Sequence, residues 1–405
     1  MTKNFVWLSG MFALFIFLIQ PSNTSYGAEN WVNYLSLADY TGPSGLDTSI
    51  QNATEDYTKY LNDKGGVEGV KIKFIGVDTR ADVARVVSAY KRYQKLPMTP
   101  VFWNNSTPSN KVIIPMATRD KKVMITPGSG EAAVMRSIAF VANPSYQDGF
   151  GAFLDYVVKD WQKKGKAGKP TIGRIHLDNA FGYEEMLGGK EYAEKLGLEI
   201  RSEYFPAGTP DHTTYLTRLK GCNYILVGGV DPTPSMVIRD AYRLGMTKET
   251  QFCCGYYGPT RGSGYGIANH NEELQGVIVM RFFLSGTEIA AHPLVSRIWT
   301  TYRKKPIGDL NGMYGWGVAL GMTFEAALKA ALKEVGYEKI DGEVMYRAYQ
   351  KLTGFEFAGL LTPCTYSPTE RRYTRGVKFY RVTGMDLVPI TGWIDCPDTV
   401  SLHKF

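Results

Sequence analysis

LSLADYTGPSGLDTSIQNATEDYTKYLNDKGGVEGVKIKFIGVD, residues 35–78, decides the fold. It opens as a short strand, passes a glycine and proline loop at 41–45, and continues as a helix of about 15 residues. A glycine turn at Gly65 and Gly66 then leads into a second strand, 71–77. Ile50, Ala53, Tyr57, Tyr60 and Leu61 recur at helical spacing, so the helix has one apolar face and must cover a sheet. Asp47, Thr48 or Ser49 is placed to cap its first turn. Strand, helix, strand in this order is a β-α-β unit of a parallel sheet. The loop entering the helix lies at the carboxyl end of a strand, where open α/β sheets bind ligands.

The same alternation runs outward from this unit. TRADVARVVSAYKRYQ (79–94) is a helix, TPVFW (99–103) a strand, 112–118 a helix, and KVMITPGSGEA (122–132) a strand running into a small polar loop. Residues 143–148 form a polar connection to a second α/β series, with strands at 171–177, 199–206, 223–231 and 250–257. The apolar run GVIVMRFFL (276–284) reads as a strand returning to the first series, and Gly312–Val335 as a long helix with Glu325 and Lys329 at the favourable i,i+4 spacing. Gly315, Gly317, Ala319 and Gly321 would let that helix pack closely against a sheet or a ligand. A helix at 344–352 and two strands around a turn at Gly384 complete the second series.

Before the first strand, Lys3 precedes the apolar run WLSGMFALFIFLI, and Ser25, Gly27 and Ala28 follow. This is the pattern of a secretory signal peptide over 1–28. No later run is long enough to span a membrane, so the expected mature chain of roughly 375 residues is soluble, lies outside the cytoplasm and divides into two lobes. Composition is that of a globular protein, 44% apolar and 21% charged. The formal charge of +7 is dispersed, and the clusters at 163–169 and 371–375 read as solvated faces. Nothing resembles a nucleic-acid-binding element.

Five cysteines are an odd number for an oxidising compartment. Cys364 and Cys396 are placed to staple the tail, and Cys222 to meet Cys253 or Cys254. Cys253 and Cys254, being neighbours in a strand, face opposite ways. No Cys or His spacing makes a metal site, and no cofactor is implied. HExxH, G-x-S-x-G and P-loop motifs are absent, the GSG at 128–130 falls short of a dinucleotide fingerprint, and His176, His212 and His292 have no triad context.

TGPSG, the helix at 50–61, LNDKGGVEGVKIKFIGVD, DNAFGYE, YFPAGTPDHTTYLTRLK, YILVGG and NGMYGWGVALGMTFEAAL together resemble the periplasmic solute-binding proteins of the branched-chain amino acid and amide ABC transporters. The resemblance covers nearly all of the mature chain. It implies an α/β, type I periplasmic binding fold of two Rossmann-like lobes with parallel central sheets, a hinge and an interlobe ligand cleft. Lobe 1 would hold 29–142 and 276–340, and lobe 2 would hold 143–275 and 341–405. A small amino acid, amide or organic carboxylate would bind in the cleft of a monomer and pass to ABC permease subunits. A sensory or regulatory binding protein with the same cleft is the alternative.

By the same resemblance, first-lobe contacts fall on Asp47, Asn104, Asn105, Ser106, Thr107, Gly128, Ser129 and Gly130, whose hydroxyls and N–H groups suit a carboxylate. The second lobe would supply Phe181, Tyr183, Val230, Asp231 and Tyr256. Trp103, Tyr257, Tyr314 and Trp316 are further wall residues. Amino-acid binders of this family hold the ammonium with an acid near the strand end that reads CCGYY here, 253–257. That departure makes a solute without a free ammonium as plausible as an amino acid, because an unpaired ammonium in a closed apolar cleft is costly.

Overall fold

The computed structural model describes residues 29–42, 48–134, 137–260 and 271–405; the expected signal peptide and Asp47 lie outside these. The first series is β1 (Trp31–Ala38), α1 (Ser49–Asp63), β2 (Lys71–Asp78), α2 (Val83–Tyr93), β3 (Val101–Asn104), α3 (Asn110–Arg119), β4 (Val123–Thr126), α4 (Gly130–Val134) and β5 (Ala139–Val141). These strands form a parallel sheet in the order β2-β1-β3-β4-β5. The opening unit pairs in register, Leu35 with Ile75 and Ala38 with Asp78.

The second series is α5 (Tyr146–Lys163), β6 (Thr171–Leu177), α6 (Ala180–Glu184), α7 (Gly189–Leu196), β7 (Glu199–Phe205), α8 (Thr213–Arg218), β8 (Tyr224–Val227), α9 (Thr233–Arg243) and β9 (Gln251–Cys254). After it come α10 (Asn271–Leu274), β10 (Ile278–Arg281), α11 (Thr287–Ala290), α12 (Pro293–Ile298), α13 (Gly312–Val335), α14 (Gly342–Gln350), β11 (Gly376–Thr383), β12 (Asp386–Pro389) and β13 (Ile394–Asp395). The second sheet runs β12-β11-β10-β9-β8-β6-β7. Its β7 to β10 portion is parallel, and β11 and β12 add antiparallel strands around a turn at Gly384, where φ is +58°.

Two placements correct the sequence reading. Residues 276–284 do not return to the first sheet, because β10 pairs with β9 and β11 in the second. A fully apolar run shows that a strand is buried on both faces, not which sheet buries it. Conversely, α14 packs on α13 and β4, on the side of the first sheet. The following segment stays there: Tyr366 donates to the Val141 carbonyl and Tyr373 to the Ala319 carbonyl before the chain enters β11.

Helix α13 lies against α1 at a separation set by glycine. A Cβ on Gly317 would sit 2.2 Å from the Ile50 carbonyl oxygen, and one on Gly321 2.4 Å from the Tyr57 ring. Thr54 donates to the Gly317 carbonyl, locking the two helices in register. Glu325 accepts from Tyr57 at 2.6 Å, while Lys329 faces Glu68 at 3.6 Å, so the expected Glu325–Lys329 pair is replaced by partners from other elements.

The five cysteines are buried free thiols, not bridges. Register explains the second pair: Leu226 stands opposite Cys253 and Val227 opposite Cys254, while Cys222 precedes the strand. Cys253 and Cys254 do face opposite ways, into separate core clusters. Cys364 pairs through its backbone with Phe355, whereas Cys396 follows β13 on the second sheet.

Candidate functional site

Between the two sheets lies a cavity of about 250 Å³. Its walls come from the carboxyl ends of strands in both. Arg80 and Ala81 follow β2, Asn105 to Pro108 follow β3, Pro127 follows β4, Asn179 and Phe181 follow β6, Ala207 follows β7, Val230 follows β8 and Tyr257 follows β9. Ile50 and Gln51 of α1, Tyr146 at the start of α5, and Met313 and Trp316 of α13 complete it, with Trp103 and Leu177. In a parallel sheet every strand delivers its following loop to the same edge, so facing edges enclose the cleft.

The wall is largely aromatic. Tyr257 stacks on Trp316 with centroids 5.8 Å apart, Trp103 meets Trp316 edge-on at 5.7 Å, and Tyr146 lies 4.9 Å from Phe181. Trp316 is fixed by donating Nε1 to the Ala142 carbonyl at 2.9 Å. Burial pushes the Tyr146 and Tyr257 phenols up, keeping them protonated.

Polar groups gather on the first-lobe side. Gln51 Oε1, Trp103 Nε1, Asn105 Oδ1 and Ser106 Oγ are buried and have no hydrogen-bond partner among the described residues. Buried polar atoms are rarely left unmet, and the residues that carry these line one cavity, where a side-chain rotation would offer them to the polar end of a bound solute. Arg80 supplies the one cationic side chain among the described lining residues, and no Asp or Glu is among them. Arg80 and Ala81 both take positive φ, +51° and +54°, a conformation disfavoured for residues with a Cβ.

A model described as Periplasmic binding protein matches residues 36–386. The chain belongs to that family. No curated protein matches it. Among solved structures, this periplasmic binding protein is similar to a branched-chain amino acid ABC transporter protein from Thermus thermophilus with bound valine, at 19% identity and TM-score 0.79, covering 92% of this chain and 98% of that one. It is also similar to a fatty acid ABC transporter substrate-binding protein from Thermomonospora curvata, at 17% identity and TM-score 0.78, covering 92% and 94%. A third is a solute-binding protein from R. palustris in complex with 4-hydroxybenzoate, at 16% identity and TM-score 0.72, covering 91% and 98%. These likenesses establish the fold, and the family is one of binding proteins rather than enzymes.

Of the residues singled out from sequence, the binding protein brings Asn105, Ser106, Thr107, Phe181 and Val230 to the cavity, with Trp103, Tyr257 and Trp316. The others stand elsewhere. Asn104 is buried and donates to Ser109 Oγ at 2.9 Å and Asn110 Oδ1 at 3.0 Å, building the turn after β3. Gly128 donates its N–H to Asn143 Oδ1. Ser129 and Gly130 are engaged by Glu184. Tyr183 is 41% exposed, with its hydroxyl on Asp178 and its ring on Tyr204. Asp231 is buried and accepts from Ser235 at 2.6 Å. Tyr256 lines a small adjoining pocket with His176 and Glu185 and donates to the Ser145 carbonyl. Tyr314 donates to Asp56 at 2.9 Å.

Sequence reading missed Tyr146, Arg80 and Gln51. Tyr146 sits in a stretch legible only as a crossing, and Arg80 immediately follows the end of β2. Asn105 was assigned by the family resemblance; the strand-end rule, applied two residues beyond β2, would have found Arg80. Gln51 was hidden because a polar residue in an amphipathic helix ordinarily faces water; here it is 3% exposed.

The connections between lobes are fixed beside the site. Val141 N–H donates to the Arg371 carbonyl, and Arg372 bridges Asp148 at 2.8 Å, Asp398 at 2.7 Å and Glu370 at 2.7 Å. Asp148 also accepts from the Thr399 and Val400 N–H groups. Among the described residues no cluster of His, Cys, Asp and Glu could hold a metal ion, and no helix is long and apolar enough to cross a membrane.

Proposed function

We propose that this chain is the extracytoplasmic solute-binding subunit of an ABC importer, taking a small organic solute with an aromatic or aliphatic body and one polar or anionic end. The observation that carries this reading is the cavity wall. Aromatic and aliphatic side chains surround it, partnerless polar atoms gather on one side, Arg80 is the cation, and no described lining residue is acidic. An ammonium buried there would meet no charge partner among the described lining residues, at a cost of several kcal/mol per ion on the order expected for unpaired burial. A carboxylate would meet Arg80 and the donors Trp103 Nε1 and Ser106 Oγ, while Gln51 Oε1 and Asn105 Oδ1 are acceptors for a hydroxyl or N–H of the solute.

Size supports a small solute, since about 250 Å³ falls below the roughly 300–1,000 Å³ of sites for drug-sized ligands. The structural relatives with a fatty acid and 4-hydroxybenzoate in their descriptions have solutes of this class, while valine in the third is the contrasting case. Closure of the lobes around the solute would form the surface that a permease reads.

The experiment is a thermal-shift screen under native conditions with benzoate, 4-hydroxybenzoate, octanoate, acetamide, leucine and valine. Stabilisation by at least one compound without an ammonium, exceeding that by leucine and valine, is expected. A response to the amino acids alone would overturn the solute class, and no response to any small organic solute would overturn the transport reading.

A further inference from the structure

The hydrogen-bond donors that the family resemblance assigns to a solute carboxylate are already met by a carboxylate of the protein. Ser129 Oγ donates to Glu184 Oε1 at 3.0 Å, Gly130 N–H to Oε2 at 3.0 Å, and Gln147 Nε2 to Oε2 at 2.6 Å. Ser129 and Gly130 follow β4 of the first sheet, whereas Glu184 ends α6 beyond β6 of the second. The contact therefore crosses from one lobe to the other. None of these four residues lines the cavity.

Ordinary packing does not account for this arrangement. Glu184 is 6% exposed, and no Lys or Arg among the described residues forms an ion pair with it. Its neighbour Glu185 illustrates the usual solution, pairing with Arg174 at 2.6 Å. A buried carboxylate without a cation is costly unless donors surround it, and an apolar side chain would fill the space at less cost. Three donors converging on one carboxyl from two lobes are what a bound carboxylate would need. Burial still holds the Glu184 carboxyl above the usual carboxylate range, and the three donors oppose that push.

We propose that Glu184 is an internal surrogate for a solute carboxylate, occupying Ser129, Gly130 and Gln147, holding the lobes together there and excluding a solute's anionic end from those donors. The solute's polar end is thereby directed to the side of Arg80, Trp103, Asn105 and Ser106. This specificity role rests on the cleft being the solute site; the contact between lobes does not.

The test compares wild type with Glu184→Ala, both without solute, by small-angle scattering and thermal melting. Sodium acetate is titrated into each, against sodium chloride at equal ionic strength. Glu184→Ala is expected to be larger in radius of gyration and lower in Tm, with acetate restoring both saturably and leaving wild type unchanged. Scattering and melting identical to wild type, or acetate acting no better than chloride, would overturn the proposal. Should Glu184→Ala fail to fold, Glu184→Gln decides. Its amide has one acceptor oxygen, which at the Oε2 position keeps Gly130 and Gln147 while NH2 replaces the acceptor facing Ser129 and the charge is lost, so partial expansion is expected and wild-type behaviour overturns the proposal. Failure of every solute to bind, with the acetate result intact, would sink only the cleft reading.

Discussion

Tyr257 and Trp316 stack across the cleft, with centroids 5.8 Å apart and planes 15° apart. One follows β9 of the second sheet, the other stands on α13 over the first, so the pair measures how the lobes meet. An aromatic pair contributes about 0.5–1.5 kcal/mol beyond area burial. Tyr257→Ala is therefore expected to weaken a solute found in the screen about tenfold, measured by calorimetry. Unchanged affinity would remove Tyr257 from the wall.

Arg372 is the shared cation of Asp148, Glu370 and Asp398, and its side chain is 10% exposed. Arg372→Met keeps much of the apolar stem but leaves the fully buried Asp148 without its cation. Loss of one partner of a buried ion pair costs about 3–5 kcal/mol. Urea unfolding should show a loss of that order, and a change under about 1 kcal/mol would mean that the backbone N–H groups of Thr399 and Val400 suffice.

His176 is held neutral. Burial, then the neighbouring Arg174 charge, depresses its pKa well below the usual histidine value, and Nδ1 accepts from the Leu177 N–H. The unfolded chain binds a proton near pH 6.5 that the folded chain refuses. The stability His176 contributes is thus present above about pH 6.5 and lost as pH falls toward its folded pKa, at no more than about 1.4 kcal/mol per unit. The difference in stability between wild type and His176→Gln, followed from pH 8 to pH 5, should shrink on acidification; a constant difference would contradict a neutral buried ring.

All five thiols are buried, and burial raises the pKa of each. A thiol-reactive reagent should label the native protein slowly and label five thiols after denaturation without reductant. Fewer than five would reveal the bridges expected from sequence.

Much of the fold was legible because its signals are local. The periodicity of Ile50, Ala53, Tyr57 and Leu61 located α1, and Gly315, Gly317, Ala319 and Gly321 announced a close approach by α13, although the partner is α1 and not a sheet or a ligand. Sheet membership was not local. GVIVMRFFL looks the same in either lobe, and only its register with Cys253 and Arg381 places it in the second. The site was half legible for a related reason. The family resemblance placed Asn105, Ser106, Thr107, Phe181 and Val230, which stand on loops at strand ends, but it does not say which side chain turns inward. Tyr183 faces outward two positions after Phe181, and Ser129 spends its hydroxyl on Glu184, a partner 55 residues away in sequence.

The central claim is a cleft for a small solute without an ammonium, and calorimetry on the native protein tests it most directly. Benzoate, 4-hydroxybenzoate and octanoate are titrated in turn, then valine. The account predicts single-site binding of at least one of the three carboxylates, weakened by Tyr257→Ala, with valine binding more weakly or not at all. Tight single-site binding of valine, with none of the three carboxylates bound, would contradict it.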